Sequence, residues 1–289
     1  MEISGKTKIC GVIGDPVEHT LSPVVHNAAF SKLKLDFIYV AFRVEKEELE
    51  NAISGMRGLG IHGLNVTMPH KNAVINYLDK IDSTAKFIGA VNTIVNDDGK
   101  LVGFNTDGVG AVKALKENGV HLTGKKMLLL GAGGAAKAIA FNAAQEIEEL
   151  IILNRTTEKA KQLAEALRRK FNKRIKGGSL SANLIKDELK DSDILINATV
   201  VGMHPNIGKS LVDPEWLGPD LCMLDIVYNP IETRLAKDAK AAGAKVINGV
   251  EMLIYQGAAS FEIWTGYSAP IHVMKQAALD KLSEIGAIH

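Results

Sequence analysis

The run Met127-Leu128-Leu129-Leu130, followed by Gly131-Ala132-Gly133-Gly134-Ala135-Ala136-Lys137-Ala138, most restricts what this chain can become. A short apolar run reads as a buried strand; glycines then turn the chain, and a helix former follows at once. That order aims backbone N–H groups and the positive end of a helix dipole at one point, which suits a phosphate. Gly131 permits the sharp turn, and Gly133 lets a pyrophosphate approach the backbone. Ala136 takes the place of the third glycine of G-x-G-x-x-G and is small enough for close helix–strand packing. A glycine turn alone also serves as an ordinary strand-to-helix loop. With both flanks in place, the segment reads as a dinucleotide-binding unit.

The second strand of that unit, Leu150-Ile151-Ile152-Leu153, ends in Asn154-Arg155-Thr156-Thr157. An NAD-binding unit places an Asp or Glu here, about 20 residues past the glycines, to accept from the ribose hydroxyls. An acid would repel a 2′-phosphate, whereas the guanidinium of Arg155 pairs with one. Thr156 adds a hydroxyl and Lys159 follows one helical turn on. The competing reading is a solvated loop, since basic residues recur at Arg168, Arg169, Lys170 and Lys173. The position relative to the glycines favours NADP over NAD.

At 289 residues the chain has room for about two domains. Lys and Arg number 34 against 33 Asp and Glu, a net charge of +1 that points to neither nucleic acid nor an anionic membrane. Both cysteines, Cys10 and Cys222, sit in apolar runs without metal-ligand spacing, so they read as buried thiols and no metal is expected. The N-terminus lacks the apolar stretch of a signal peptide and no run is long enough to span a bilayer, so a cytoplasmic protein is expected.

Strands are expected at 8–13, 37–44 and 61–67, with helices at 24–30, 46–57 and 72–78. Ser22 stands where an N-cap would, with Pro23 at the first helical position. Asn96-Asp97-Asp98-Gly99 between β-rich runs predicts a hairpin. A helix from Asp107 stops near Gly119. Strands at 126–130, 150–154, 193–198, 221–226 and 245–247 then alternate with helices at 134–145, 157–172, 181–190 and 231–242. Such alternation implies a parallel sheet with helices on both faces. Residues 251–285 read as helical with a break near Gly266–Pro270.

Three N-terminal stretches carry polar groups where a core would not want them. His19-Thr20-Leu21-Ser22-Pro23 offers two hydroxyls to a carboxylate. Asn65-Val66-Thr67-Met68-Pro69-His70-Lys71 ends a strand, where ligands gather in open α/β sheets. Gly89-Ala90-Val91-Asn92-Thr93 and Gly103-Phe104-Asn105-Thr106-Asp107-Gly108 flank the hairpin. Singly, each has a mundane explanation: strand-ending Asn and Thr, an N-capping Asp107, a surface Lys71. Beside a nicotinamide they form a set, because hydride transfer to a carbonyl needs a proton delivered to oxygen. Lys71 could deliver it, with the Asp107 carboxylate fixing its position and charge.

In this order, Thr-Leu-Ser-Pro, Asn-Val-Thr-Met-Pro-His-Lys, Ala-Val-Asn-Thr, Asn-Thr-Asp-Gly, the glycine turn, Leu-Asn-Arg-Thr, Asn197-Ala198-Thr199 and Asn248-Gly249-Val250-Glu251-Met252-Leu253…Gln256 resemble the shikimate/quinate dehydrogenase family over essentially the whole chain. The resemblance implies an N-terminal α/β substrate domain, a Rossmann-type doubly wound NADP-binding domain, and C-terminal helices returning to the first. The expected boundaries are 1–106 with 249–289 for the substrate-binding and catalytic domain, and 107–248 for the NADP domain. It implies an active site in a cleft between domains, with Lys71 and Asp107 as the catalytic pair. Thr67, Asn92 and Gln256 would bond the ring hydroxyls, while Thr20, Ser22 and Tyr228 hold the carboxylate. On the cofactor side it implies Gly131, Ala132, Gly133, Gly134, Ala135 and Ala136, then Asn154, Arg155, Thr156 and Lys159. Thr199, Gly249 and Met252 would lie beside the ribose or nicotinamide.

The activity so implied is the NADPH-dependent, reversible reduction of 3-dehydroshikimate to shikimate in aromatic amino acid (chorismate) biosynthesis. Shikimate and 3-dehydroshikimate are the expected small-molecule partners, and a homodimer is admitted as an assembly. Two departures stand out: Thr20 where the family usually has Ser, and His70 where Phe is common. His70 reads as a half-exposed histidine beside a proline rather than an acid–base group. A relative that also oxidises quinate or uses NAD is the nearest rival. A non-catalytic NADP-binding sensor is the second, disfavoured because Lys71 and Asp107 are both present.

Overall fold

The computed structural model describes residues 3–286. Its first elements are β1 (Lys8–Gly14), α1 (Ser22–Lys32), β2 (Phe37–Arg43), α2 (Leu49–Gly58), β3 (Gly63–Val66), β4 (Lys80–Ile81), α3 (Ser83–Ile88), β5 (Thr93–Asp97) and β6 (Lys100–Phe104). Then come α4 (Asp107–Glu117), β7 (Lys126–Leu130), α5 (Gly134–Ala143), β8 (Glu149–Asn154), α6 (Thr157–Phe171) and β9 (Arg174–Ser179). The chain ends with α7 (Ala182–Leu189), β10 (Ile194–Asn197), β11 (Cys222–Asp225), α8 (Arg234–Ala241), β12 (Lys245–Ile247), α9 (Gly249–Thr265) and α10 (Ile271–Gly286). Two compact units divide it: residues up to Thr106 with those from Ile254 onward, and Asp107–Leu253. The second boundary falls inside α9, five residues beyond the 248/249 position expected from the sequence. Positions 1–2 and 287–289 of the expected substrate domain lie outside the described residues.

The first unit is built on a six-stranded mixed sheet in the order β2-β1-β3-β5-β6-β4. β1 pairs parallel with β2 and β3, while β5 runs antiparallel to β3 and β6. The β5–β6 hairpin turns through Asp98 and Gly99, both at positive φ (47° and 85°), as a tight two-residue turn requires. Because β5 is reversed, the start of β5 lies beside the C-terminal ends of β3 and β6. One face of the sheet packs Ile13, Leu64, Val66 and Ile94 against Leu49, Ile53 and Met56 of α2. Phe30 of α1 stacks on Phe37 of β2 and Phe261 of α9, with centroids 5.0 and 5.3 Å apart.

The second unit carries a six-stranded, wholly parallel sheet in the order β12-β11-β10-β7-β8-β9. Counted within the unit this is 3-2-1-4-5-6, the Rossmann order, with its switch point between β7 and β10. The apolar run in β7 is explained by burial on both faces. Leu128 and Leu130 pack with β8, β10 and α7, and Met127 and Leu129 are equally inaccessible on the other side. No helix among the described residues is long and apolar enough to cross a membrane.

Three local expectations are corrected. Leu21, not Ser22, is the N-cap of α1, and no side chain caps it. The Ser22 hydroxyl instead takes part in a bond with Thr20, and Pro23 falls at a position where a missing N–H is harmless. His70 is buried, its Nε2 2.7 Å from the Val44 carbonyl, so it is a core histidine and not a half-exposed one. β9, whose sequence Arg174–Ser179 carries two glycines and three polar side chains, is a strand that the pattern of residues does not predict.

Candidate active site

In the first unit the polar groups singled out in the sequence gather at one end of the sheet, where β1, β3 and β6 end and β5 begins. Thr20 and Ser22 stand at the start of α1, with the Thr20 hydroxyl donating to Ser22 Oγ at 3.2 Å. Thr67 follows β3, its N–H bonded to the Ile13 carbonyl at 3.0 Å, and is half-buried. Lys71 is also half-buried, and its carbonyl accepts from Val91 N at 2.8 Å.

Asn92 is buried and held from several sides. Its Oδ1 accepts from Thr106 N at 2.8 Å and the Thr93 hydroxyl at 3.0 Å. Its Nδ2 donates to Thr106 Oγ1 at 2.9 Å and Gln256 Oε1 at 3.4 Å. Asn92 and Gln256, distant in sequence, are therefore brought together.

Behind them lies a layer to which the sequence alone assigns no role. Asn65 Nδ2 lies within bonding distance of Asn92 O (3.1 Å), Thr93 Oγ1 (3.2 Å) and Ser260 Oγ (3.1 Å). The orientation of that amide is set by the phenol of Tyr39, which donates to Asn65 Oδ1 at 2.7 Å. Burial holds the Tyr39 phenol well above its ordinary range, so it stays a donor; a bond with Ser22 opposes the shift only partly. The Tyr39 ring stacks on buried His26 at 4.4 Å and 7°. Tyr39 sits in an apolar strand and Ser260 in an apolar helix, where spacing says core and nothing says polar layer.

The second unit builds its site at the switch point, the crevice where open α/β sheets take ligands. Gly131 follows β7 with φ +118°, and a Cβ there would stand 2.6 Å from the Ala198 carbonyl. Ala132 and Gly133 complete the turn, and Gly134, Ala135 and Ala136 begin α5. The opening turn of α5 thus points its N–H groups into the crevice, as a pyrophosphate requires. Asn154 ends the neighbouring β8, its Nδ2 donating to Thr156 O at 3.0 Å. Arg155, Thr156 and Lys159 lie just beyond, and neither Arg155 nor Lys159 forms an ion pair among the described residues. Two unneutralised cations one strand from the glycine turn fit a 2′-phosphate, which an acid at this place would repel.

Across the switch point Thr199 follows β10, its hydroxyl donating to Asn197 Oδ1 at 2.8 Å. Gly249 opens α9 beside the backbone of Val227, and Met252 is buried in the first turn of the same helix. Tyr228, next to Val227, is half-buried, and burial pushes its phenol upward. Asp107 is the buried first residue of α4. Sequence reasoning missed Asp225, a buried carboxylate that ends β11 and accepts from Asn197, Val227 N and Thr233. An acid closing the apolar run Leu221–Leu224 was the available signal. Among the described residues no His, Cys, Asp and Glu are grouped as a metal ion would need.

Residues 12–94 match the family profile described as the shikimate dehydrogenase substrate binding domain. Residues 113–239 match shikimate / quinate 5-dehydrogenase, and 249–279 the shikimate 5′-dehydrogenase C-terminal domain. The chain is 49% identical over 283 residues to the shikimate dehydrogenase (NADP(+)) of Methanocaldococcus jannaschii, covering 98% of this chain and 100% of that one. A crystal structure of a shikimate dehydrogenase in complex with NADP+ is similar with a TM-score of 0.91 and 48% identity, over 97% and 98% of the two chains. Shikimate 5-dehydrogenase of Listeria monocytogenes, in complex with shikimate and NAD, gives 0.90 and 41%, over 96% and 98%. By a sequence match that runs nearly end to end, and by a fold that matches over the same span, this chain belongs to the shikimate dehydrogenase family.

Proposed function

We propose that the chain reduces 3-dehydroshikimate reversibly to shikimate with NADPH, a step of aromatic amino acid (chorismate) biosynthesis. The balance is one ketone, one NADPH and one proton giving one secondary alcohol and NADP+. The observation that carries the reading is the presence, in one chain, of two surfaces, one in each unit. One is an end of a sheet lined with neutral hydroxyls and amides; the other is a switch-point glycine turn flanked by unpaired Arg155 and Lys159.

NADPH, when bound, supplies the hydride. Lys71 delivers the proton to the nascent alkoxide, and removes it in the oxidation direction. Asp107 orients Lys71 and a substrate hydroxyl. Thr67, Asn92 and Gln256 bond the ring hydroxyls, and Thr20, Ser22 and Tyr228 hold the carboxylate. Asn92 suits that task because Thr106 N and Thr93 fix its amide before substrate arrives. Preorganised dipoles reject analogues that leave them unpaired, which favours a hydroxyl-rich substrate over an apolar one. Gly131 to Ala136 take the pyrophosphate and Asn154, Arg155, Thr156 and Lys159 the adenosine 2′-phosphate end. Thr199, Gly249 and Met252 line the nicotinamide riboside.

A second reading, oxidation of quinate as well, draws on Thr20, whose extra methyl alters the hydroxyl pair that receives the carboxylate. The test is absorbance of the reduced nicotinamide with dehydroshikimate, with quinate in the oxidation direction, and with no substrate, each with both cofactors. Turnover of dehydroshikimate with NADPH well above the other combinations is expected. Equal turnover with NADH would refute the cofactor assignment, and no turnover on either acid would leave a nucleotide binder. The finer assignments carried from the sequence, a cytoplasmic enzyme and a homodimer, are tested by fractionation and by light scattering.

A further inference from the structure

Asp225 ends β11, is 1% exposed and forms no ion pair among the described residues. Its partners are all donors. Oδ1 accepts from Asn197 Nδ2 at 3.0 Å and from Val227 N at 3.1 Å, and Oδ2 accepts from the Thr233 hydroxyl at 2.6 Å. Among the described residues no neighbour accepts a proton from either oxygen, so the site is built around an acceptor-only carboxylate. A buried carboxylate held by hydrogen bonds with no cation beside it is costly to keep, and its partners are what it organises.

What it organises is Asn197, itself 1% exposed. An amide has one donating and one accepting end. With Nδ2 turned to Asp225, and its second hydrogen near Val201 O at 3.3 Å, Oδ1 must face the other way. There it accepts from the Thr199 hydroxyl at 2.8 Å and from Thr199 N at 3.2 Å. The single proton of Thr199 is thereby used up. One lone pair of Oγ1 takes Val201 N at 3.1 Å, which leaves the other for a ligand.

We infer that Asp225 is a positioning residue that fixes, through Asn197, the polarity of Thr199, so that Thr199 meets the cofactor only as an acceptor. This rests on the proposed placement of Thr199 beside the nicotinamide riboside. An acceptor there selects a group that donates, a ribose hydroxyl or the carboxamide NH2, and turns away phosphate oxygens, which only accept. Asp225 thus contributes to the register of the nicotinamide half without touching it.

Calorimetry with two probes separates this role from general support: NADP+, and 2′,5′-ADP, which lacks the nicotinamide riboside together with the phosphate that carries it. Asp225→Asn puts an NH2 among three donors and lets the Asn197 amide turn over. It is expected to weaken NADP+ about tenfold, the scale of one hydrogen bond to a charged partner. Binding of 2′,5′-ADP should stay within about twofold, since its contacts lie outside this chain of bonds. In a Thr199→Val background, Asp225→Asn should cost NADP+ nothing further.

Equal weakening of both probes, no weakening of either, or a full additional loss in the Thr199→Val background would overturn the inference. Should Asp225→Asn fail to fold, Asn197→Ser removes the acceptor of the Thr199 proton and must give the same split between probes. A wild-type protein that bound neither probe would instead overturn the cofactor reading, and this inference with it.

Discussion

Single side chains carry the chemistry, and Lys71 carries the sharpest expectation. If its ammonium delivers the proton, Lys71→Ala should lower turnover about a hundredfold or more, with cofactor affinity unchanged. Near-normal turnover in that variant would remove Lys71 from the reaction. Arg155→Ala should raise the Michaelis constant for NADPH about tenfold or more, the scale of a lost bond to a charged partner, while that for NADH hardly moves. His26 makes a different kind of prediction, about stability. It is fully buried, its Nδ1 has no hydrogen-bond partner among the described residues, and burial pushes its pKa down to about 3 from 6.5. The unfolded chain therefore takes up a proton below pH 6.5 that the folded chain refuses, so His26 withdraws stability as pH falls toward its folded value. The slope is about 1.4 kcal/mol per pH unit. His26→Phe, which keeps an aromatic ring against Tyr39, should lose about 1.6 kcal/mol less than wild type in urea unfolding between pH 6.5 and 5, the slope being half its limit at pH 6.5. Parallel losses in the two proteins would show that His26 charges in the folded state. Lys71, Arg155 and Asn92 could be singled out in the sequence because each stands in a motif beside the end or start of a strand. Tyr39, His26 and Ser260 could not, because an amphipathic pattern records which face a residue is on and not which polar atom it meets there.

At the scale of an element, the β7–turn–α5 unit separates the roles of two glycines two residues apart, one set by the backbone and one by the proposed function. Gly131 is fixed by the backbone: its φ is +118° and a Cβ would stand 2.6 Å from the Ala198 carbonyl. Gly131→Ala should therefore lower unfolding free energy by about 2–3 kcal/mol, through strain at positive φ and the displacement of β10's exit. Gly133 has φ −77° and, among the described residues, nothing beyond its chain neighbours within 4 Å of the place a Cβ would take, so Gly133→Ala should fold with nearly wild-type stability. If Gly133 receives the pyrophosphate as proposed, the added methyl would stand in its way, and NADP+ affinity should drop sharply. Urea unfolding and calorimetry on the pair distinguish the two roles; a stable Gly131→Ala or a tightly binding Gly133→Ala contradicts them. The β5–β6 hairpin was equally legible, since Asp98-Gly99 supplies the two positive φ values directly. β9 was not. Gly177 and Gly178 weaken its strand signal, and pairing with β8 over six residues together with packing against α6 holds it in the sheet.

At the scale of the molecule, each unit has its own sheet and its own apolar core, so ligands of different chemistry should stabilise different parts. The alternation of strands and helices made the parallel sheet of the second unit predictable, whereas the mixed sheet of the first depends on one reversed strand and short pieces such as β4. The two tryptophans offer a direct readout. Trp264, buried, donates from Nε1 to the Ile94 carbonyl at 3.0 Å in the first unit, and Trp216 packs on the core of the second. A ligand that binds only the folded form stabilises it by about 2.7 kcal/mol at a hundred times its dissociation constant. NADP+ at that excess should raise the transition that Trp216 reports. In Trp216→Phe, where Trp264 reports alone, the transition should move by much less. A shift of the Trp264 signal equal to that of Trp216 would mean that the units unfold as one cooperative body, and the separate cores would not then be separate thermodynamic units.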